Sequence, residues 1–148
     1  LIEMDNKIKS KTRLAAIQLV SQQLVNKQQI EKIKEDFDKY YRNTVLDESN
    51  EKIKYNVNFL SKIITYYKLL DSKKLENKIN NLIDFKRKFQ KWDTINRAII
   101  LVAISELYQV ERLKIKIILN DYIEISKFFV TNKETKLINS ILDKLINE

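Results

Sequence analysis

Glycine, proline, cysteine and histidine are all absent from the 148 residues, and each absence removes a class of structure or chemistry. Without histidine the commonest general base is gone, and a Ser-His-Asp arrangement cannot be assembled. Without cysteine there is no thiol nucleophile and no disulfide framework. Lacking both, the chain cannot build a zinc site on nitrogen or sulfur. Without glycine, neither the phosphate-cradling P-loop nor the dinucleotide fingerprint exists in its usual form. The expectation is a protein that is not an enzyme and holds no cofactor or metal.

The missing glycine and proline also bear on the fold. Lys, Ile and Asn recur throughout, as in a genome biased toward A and T. Strands depend on tight turns, which rely on Gly, Pro, Asn and Asp, so an all-β fold is disfavoured. Helices can end without glycine if Asn takes the left-handed position, and an all-α fold survives this composition best.

What is present is ordinary for a globular chain: 44% apolar and 32% charged residues, at a length expected for one domain spanning 1–148. Lys and Arg number 28 against 20 Asp and Glu, giving a formal charge of +8 that favours anionic partners. The longest unbroken apolar stretch, 98–104, is far too short to span a membrane. The beginning of the chain carries Glu3 and Asp5 and does not read as a signal peptide. A cytoplasmic protein with no membrane partner is expected.

Apolar residues recur at helical spacing along most of the chain. A first helix is predicted over 7–26, burying Leu14, Ile17, Leu24 and Val25, and a second over 30–41, burying Ile33, Phe37, Tyr40 and Tyr41. After a polar loop at 43–50, a third runs over 51–70 through Ile53, Val57, Leu60, Ile63, Ile64, Tyr67 and Leu70. Asp71 or Ser72 can cap a fourth, reaching Gln90 with Leu75, Ile79, Leu82, Ile83 and Phe89 inward and Lys86, Arg87, Lys88 and Lys91 near its end. Asp93 or Thr94 can open a fifth, to about Val110, whose apolar middle belongs at the centre of the fold. A sixth is predicted over 115–130, with Ile118, Leu119, Tyr122, Ile123 and Phe129 toward the core. Thr131 and Glu134 have capping-box spacing for a seventh, with Leu137, Ile138, Ile141, Leu142 and Leu145 buried. The predicted fold is all-α, a compact bundle of about seven helices, since no heptad persists long enough for a coiled coil.

Two charge clusters stand out. Glu31, Glu35, Asp36 and Asp38 are interleaved with Lys32, Lys34 and Lys39, which reads as a solvated face rather than a metal or acid-base site. Residues 6–30 contain no acid, while Lys7, Lys9, Lys11 and Arg13 follow one another at a helix start. A helix N-terminus carries partial positive charge, so cations gain nothing there from the fold. Either an external phosphate compensates them, or this is a frayed, solvated end.

Four segments carry a resemblance. KIKSKTRLAAIQLVSQ near the start is similar to the basic opening of the NusB family of transcription antitermination factors, with Ala16, Ile17, Gln18, Leu19, Val20 and Ser21 on its Ala-Val-Gln-Ala-Leu-Tyr helix. NRAIILVAISEL resembles the family's basic-Ala-Ile-Leu-Arg-Ile-Ala-x-Tyr-Glu-Leu, with Arg97, Ala98 and Glu106 in register. ILNDYIEISKFF is similar to Ile-Asn-Glu-Ala-Ile-Glu-Leu-Ala-Lys-x-Phe, and KLINSILDKL to Lys-Phe-Val-Asn-Gly-Val-Leu-Asp-Lys.

The resemblance implies two packed helical subbundles and an adaptor that pairs with the ribosomal protein NusE, binds single-stranded boxA-type ribosomal leader RNA and assists elongating RNA polymerase. Carried over by position, the RNA face is Lys7, Lys9, Lys11, Arg13, Gln18, Lys127, Phe129, Lys136 and Asn139. Phe129 is either a stacking surface or a core aromatic, and Gln18 and Asn139 either bind RNA or serve as packing amides. The expected NusE surface is Asn96, Arg97, Glu106, Asn120 and Asp121, with Glu106 either at that interface or in a pair within the bundle. Ser21 and Leu137 stand where the family often has Tyr and Phe, Val130 and Ser140 replace family glycines, and Asn96 occupies a position where an acid is common. Two other readings remain: a helical protein-interaction module without useful RNA affinity, and a fragment of an RNA methyltransferase carrying a domain of this fold.

Overall fold

The computed structural model describes residues 5–41, 55–83 and 87–147. Among them the chain forms seven α-helices and no strand: α1 (Asn6–Asn26), α2 (Ile30–Tyr41), α3 (Val57–Lys68), α4 (Ser72–Leu82), α5 (Thr94–Leu107), α6 (Ile115–Ser126) and α7 (Asn132–Ile146). Single 3-10 turns, Phe89–Lys91 and Arg112–Lys114, lead toward α5 and α6. The expected loop at 43–50, Ile53, Lys86 and the side chains of Tyr40 and Tyr41 lie outside the described residues.

The helix starts follow the local chemistry. Asp5 accepts the Lys7 N–H at 2.6 Å, Asn56 that of Phe59 at 2.8 Å, and Asp71 that of Lys74 at 3.2 Å, each satisfying an amide the first turn leaves unpaired. At α7 the capping box forms in both directions: Glu134 N–H donates to Thr131 Oγ1 at 3.2 Å, and Thr131 N–H to Glu134 Oε1 at 3.4 Å.

Helix α5 runs through the centre. Every residue from Ala98 to Leu107 is buried, as an almost wholly apolar helix requires. It touches α1 and α3 on one side and α6 and α7 on the other. Since α1 also packs on α2 and α3, and α6 on α7, two subbundles meet across α5. Helix α4 bridges to α7, and one hydrophobic core runs through both groups.

Three ends differ from expectation. Helix α4 stops at Leu82, and Ile83 is already extended, with φ −129° and ψ 135°. Phe89 nevertheless fills the core, because Asn80 reaches across and accepts the Phe89 N–H at 2.8 Å. Helix α6 stops at Ser126, so Phe129 lies in a turn. The left-handed position expected of Asn is taken at the end of α1 by Lys27, with φ 57° and ψ 27°, whose N–H donates to Gln23 O at 2.7 Å.

Candidate nucleic-acid interface

Helix α1 sorts its cations by face. Residues 7, 11 and 18 fall within one narrow stripe of a helix with 3.6 residues per turn, and Lys7, Lys11 and Gln18 are all exposed. Lys9 projects from another side and is half-buried. Among the described residues none of these three lysines forms an ion pair. No acidic residue occupies the first turn, and Asp5 just before it is engaged as the cap.

Arg13 behaves differently, and its reading as a phosphate contact is corrected. It is only 6% exposed and sits in line with Ala16, Ile17 and Val20, the stripe that α1 buries. Its Nε donates to Glu106 Oε1 at 2.9 Å and its Nη2 to Glu106 Oε2 at 2.8 Å, while Nη1 donates to Asp121 Oδ2 at 2.6 Å. The Phe59 and Tyr122 rings flank the guanidinium, with centroids 5.4 and 5.6 Å away. Burial works against the cation, but the hydrogen bond and charge of Glu106, with help from Asp121, more than compensate and hold Arg13 above arginine's ordinary range. The side chain is therefore consumed inside the protein.

Glu106, 2% exposed, takes the internal of its two alternatives. Besides Arg13 it accepts the Tyr122 hydroxyl at 2.6 Å. Burial, then the negative charge of Glu106, pushes the Tyr122 hydroxyl well above its usual range, so it stays protonated and donates. Asp121 is half-buried and also accepts from Ser10 at 2.5 Å, tying α6 to α1. These groups join α1, α5 and α6 by binding one another.

The other expected positions divide similarly. Lys136 and Asn139 are exposed one turn apart on α7, and Lys127 is exposed but pairs with Glu124 at 2.7 Å. Phe129 is half-buried against the core, closer to its packing alternative than to an open stacking surface. Asn96 is half-buried and donates to Glu134 at 2.5 Å, and Arg97 lies 3.6 Å from Glu76 and over the Phe89 ring at 5.8 Å. Of the five expected partner contacts only Asn120 is exposed. Three of the four acids of α2 pair with lysines, Lys32 to Asp36 at 3.3 Å, Lys34 to Asp38 at 2.5 Å and Lys68 to Glu31, as a solvated face does.

Two residues carry more than the sequence suggested. Tyr122 was legible as a core residue, but its hydroxyl's acceptor on α5 was not. Phe128, next to the expected Phe129, is 84% exposed. Its signal is a second aromatic where only one can face inward.

Among the described residues no helix is long and apolar enough to cross a membrane. The chain is similar to proteins described as transcription antitermination protein NusB in several bacteria. That of Bartonella quintana (strain Toulouse) is 26% identical over 133 residues, covering 90% of this chain and 84% of the relative. That of Psychromonas ingrahamii is 28% identical over 136 residues, covering 92% and 86%. That of Rickettsia bellii is 28% identical over 148 residues, covering 97% and 94%. The model of the NusB family matches residues 10–147, from the second turn of α1 through the residue that follows α7, and the chain belongs to that family.

Proposed function

We propose that this chain is a transcription antitermination adaptor that binds single-stranded boxA-type leader RNA together with NusE and acts on elongating RNA polymerase, as one domain in the cytoplasm. The antitermination role follows the names its relatives carry. The observation that carries the RNA contact is the pair Lys7 and Lys11, exposed on one stripe of α1, with Lys9 half-buried on another side. Among the described residues none of the three forms an ion pair, and all lie on the half of α1 whose dipole gives cations no support. A net charge of +8 draws a polyanion to the same molecule. Lys136 and Asn139 on α7 extend the candidate surface.

A second reading keeps the fold and the protein partner without useful RNA affinity. It is favoured by the loss of Arg13 to the interior and by Ser21 and Leu137 at positions where the family often has aromatics. Titration with boxA-bearing and scrambled leader RNA at two salt concentrations, with and without NusE, separates the two. Tighter binding of the boxA sequence that falls steeply with salt supports the first. Equal binding of both RNAs overturns its specificity, and NusE binding with no gain in RNA affinity establishes the second.

A further inference from the structure

Phe128 leaves an aromatic ring almost wholly in water, 84% exposed, immediately after α6. The backbone holds it there. Phe128 N–H donates to Ile125 O at 3.1 Å, and the N–H groups of Phe129 and Val130 both donate to Ser126 O at 3.0 Å. Ser126 is itself buried, its hydroxyl 2.6 Å from Ile123 O and 3.3 Å from Thr135 Oγ1 of α7. A turn pinned at both ends to the core thus presents the ring outward, while the next residue, Phe129, packs inward.

Cations are close to the ring in sequence. Lys127, paired with Glu124 at 2.7 Å, is adjacent, and Lys133 and Lys136 stand exposed on the first two turns of α7, which α6 packs against. Among the described residues Lys133 and Lys136 form no ion pair. The outward side of α7 continues through Asn139, Ser140, Asp143 and Lys144, all exposed and polar. A lipid surface would ask for a row of apolar side chains at helical spacing beside the cations, and α7 offers none. One flat ring among ammonium groups suits a strand of unpaired nucleotides, with a base on the ring and phosphates on the lysines.

We propose that Phe128 is the stacking platform for an unpaired RNA base, with Lys133 and Lys136 holding the adjacent phosphates; this rests on the RNA-binding reading above.

The test uses the full chain and single-stranded leader RNA over a range of salt. Phe128→Ala is expected to weaken binding about tenfold at every salt concentration, leaving the slope of log affinity against log salt unchanged. The Lys133→Gln/Lys136→Gln double variant is expected to flatten that slope by roughly 0.7 for each phosphate no longer held. Phe128→Trp restores affinity, and RNA quenches its fluorescence beyond the Trp92 background. As Phe128 is exposed, thermal melting of Phe128→Ala stays at the parent value. RNA binding by Phe128→Ala equal to the parent's, with an unquenched Phe128→Trp, overturns the stacking role and leaves the broader reading intact. A parent protein that binds no RNA, with or without NusE, overturns both. Weaker binding of Phe128→Ala to vesicles of equal phosphatidylserine and phosphatidylcholine, but not to RNA, reassigns the ring to a lipid surface and overturns the proposal.

Discussion

Arg13 and Glu106 are separated by 93 positions and meet through two parallel N–H···O bonds of 2.9 and 2.8 Å inside the protein. Such a forked contact matches the planar guanidinium to the planar carboxylate and fixes both orientations. It is the principal polar link between α1 and the central helix. Because both charges are buried, removing Arg13 leaves the Glu106 carboxylate without a counter-charge. Arg13→Ala is expected to destabilise the fold by about 3–5 kcal/mol, a large part of the roughly 5–15 kcal/mol that holds a domain together. The Arg13→Met/Glu106→Leu pair, which removes both charges, should lose much less. Urea unfolding of the two single variants and the double variant measures this. Additive losses would show that the charges are not coupled.

Tyr122→Phe removes a donor from Glu106 and is expected to cost about 1–3 kcal/mol. The same hydroxyl gives an alkaline signature. Its folded value lies above the ordinary 10.0, so the folded protein retains this proton where the unfolded chain releases it. The associated stability is complete below about pH 10 and declines as pH rises through the higher folded value. Melting temperature against pH should therefore fall more steeply above pH 10 in the parent than in Tyr122→Phe.

At the start of α7 the sign reverses. Glu134 is held below the ordinary carboxylate range by its hydrogen bond from Asn96, then by those from Thr131. Its contribution is present above the usual glutamate range and disappears as pH falls through the lower folded value. Glu134→Gln should flatten the acid limb of the stability profile. Thr131→Ala, which removes the cap, is expected to cost about 1 kcal/mol at neutral pH. Circular dichroism melts at several pH values check both.

Lys7, Lys9 and Lys11 should separate cleanly from Arg13. Replacing all three by Gln is expected to leave the melting temperature almost unchanged while reducing the salt slope of RNA binding by roughly 0.7 for each phosphate released from the surface. An unaltered slope would remove α1 from the RNA surface.

The contrast within this one basic run shows what the sequence carries and what it hides. All seven helices were legible, because each presents apolar residues at helical spacing and most open on a capping side chain. Ends were harder. Nothing between Leu82 and Phe89 is a glycine or proline, and Phe89 is buried as though the helix went on, so the periodicity of burial outlasted the helix itself. In the candidate site, charge suggested that Lys7, Lys9, Lys11 and Arg13 act alike. Position separates them: Arg13 precedes Ala16 and Ile17 by three and four residues and shares their face, whereas Lys7 and Lys11 share the exposed stripe with Gln18. That spacing was readable. The partner was not, since nothing local to Arg13 indicates that Glu106 and Asp121 arrive from distant helices. Glu106 could be recognised as an acid needing a partner, with Arg97 the nearer choice in sequence, but Arg97 is turned toward Glu76.

The αL backbone of Lys27 shows how a chain with no glycine leaves α1. A Cβ in that region costs roughly 1–2 kcal/mol that a residue without one avoids. The α1–α2 corner thus holds a reserve: replacing exposed Lys27 by glycine would lend the molecule tolerance toward later damage elsewhere, at a distance along α1 from Lys7, Lys11 and Gln18. In a lineage whose mutations drift away from glycine codons, that reserve tends to stay locked.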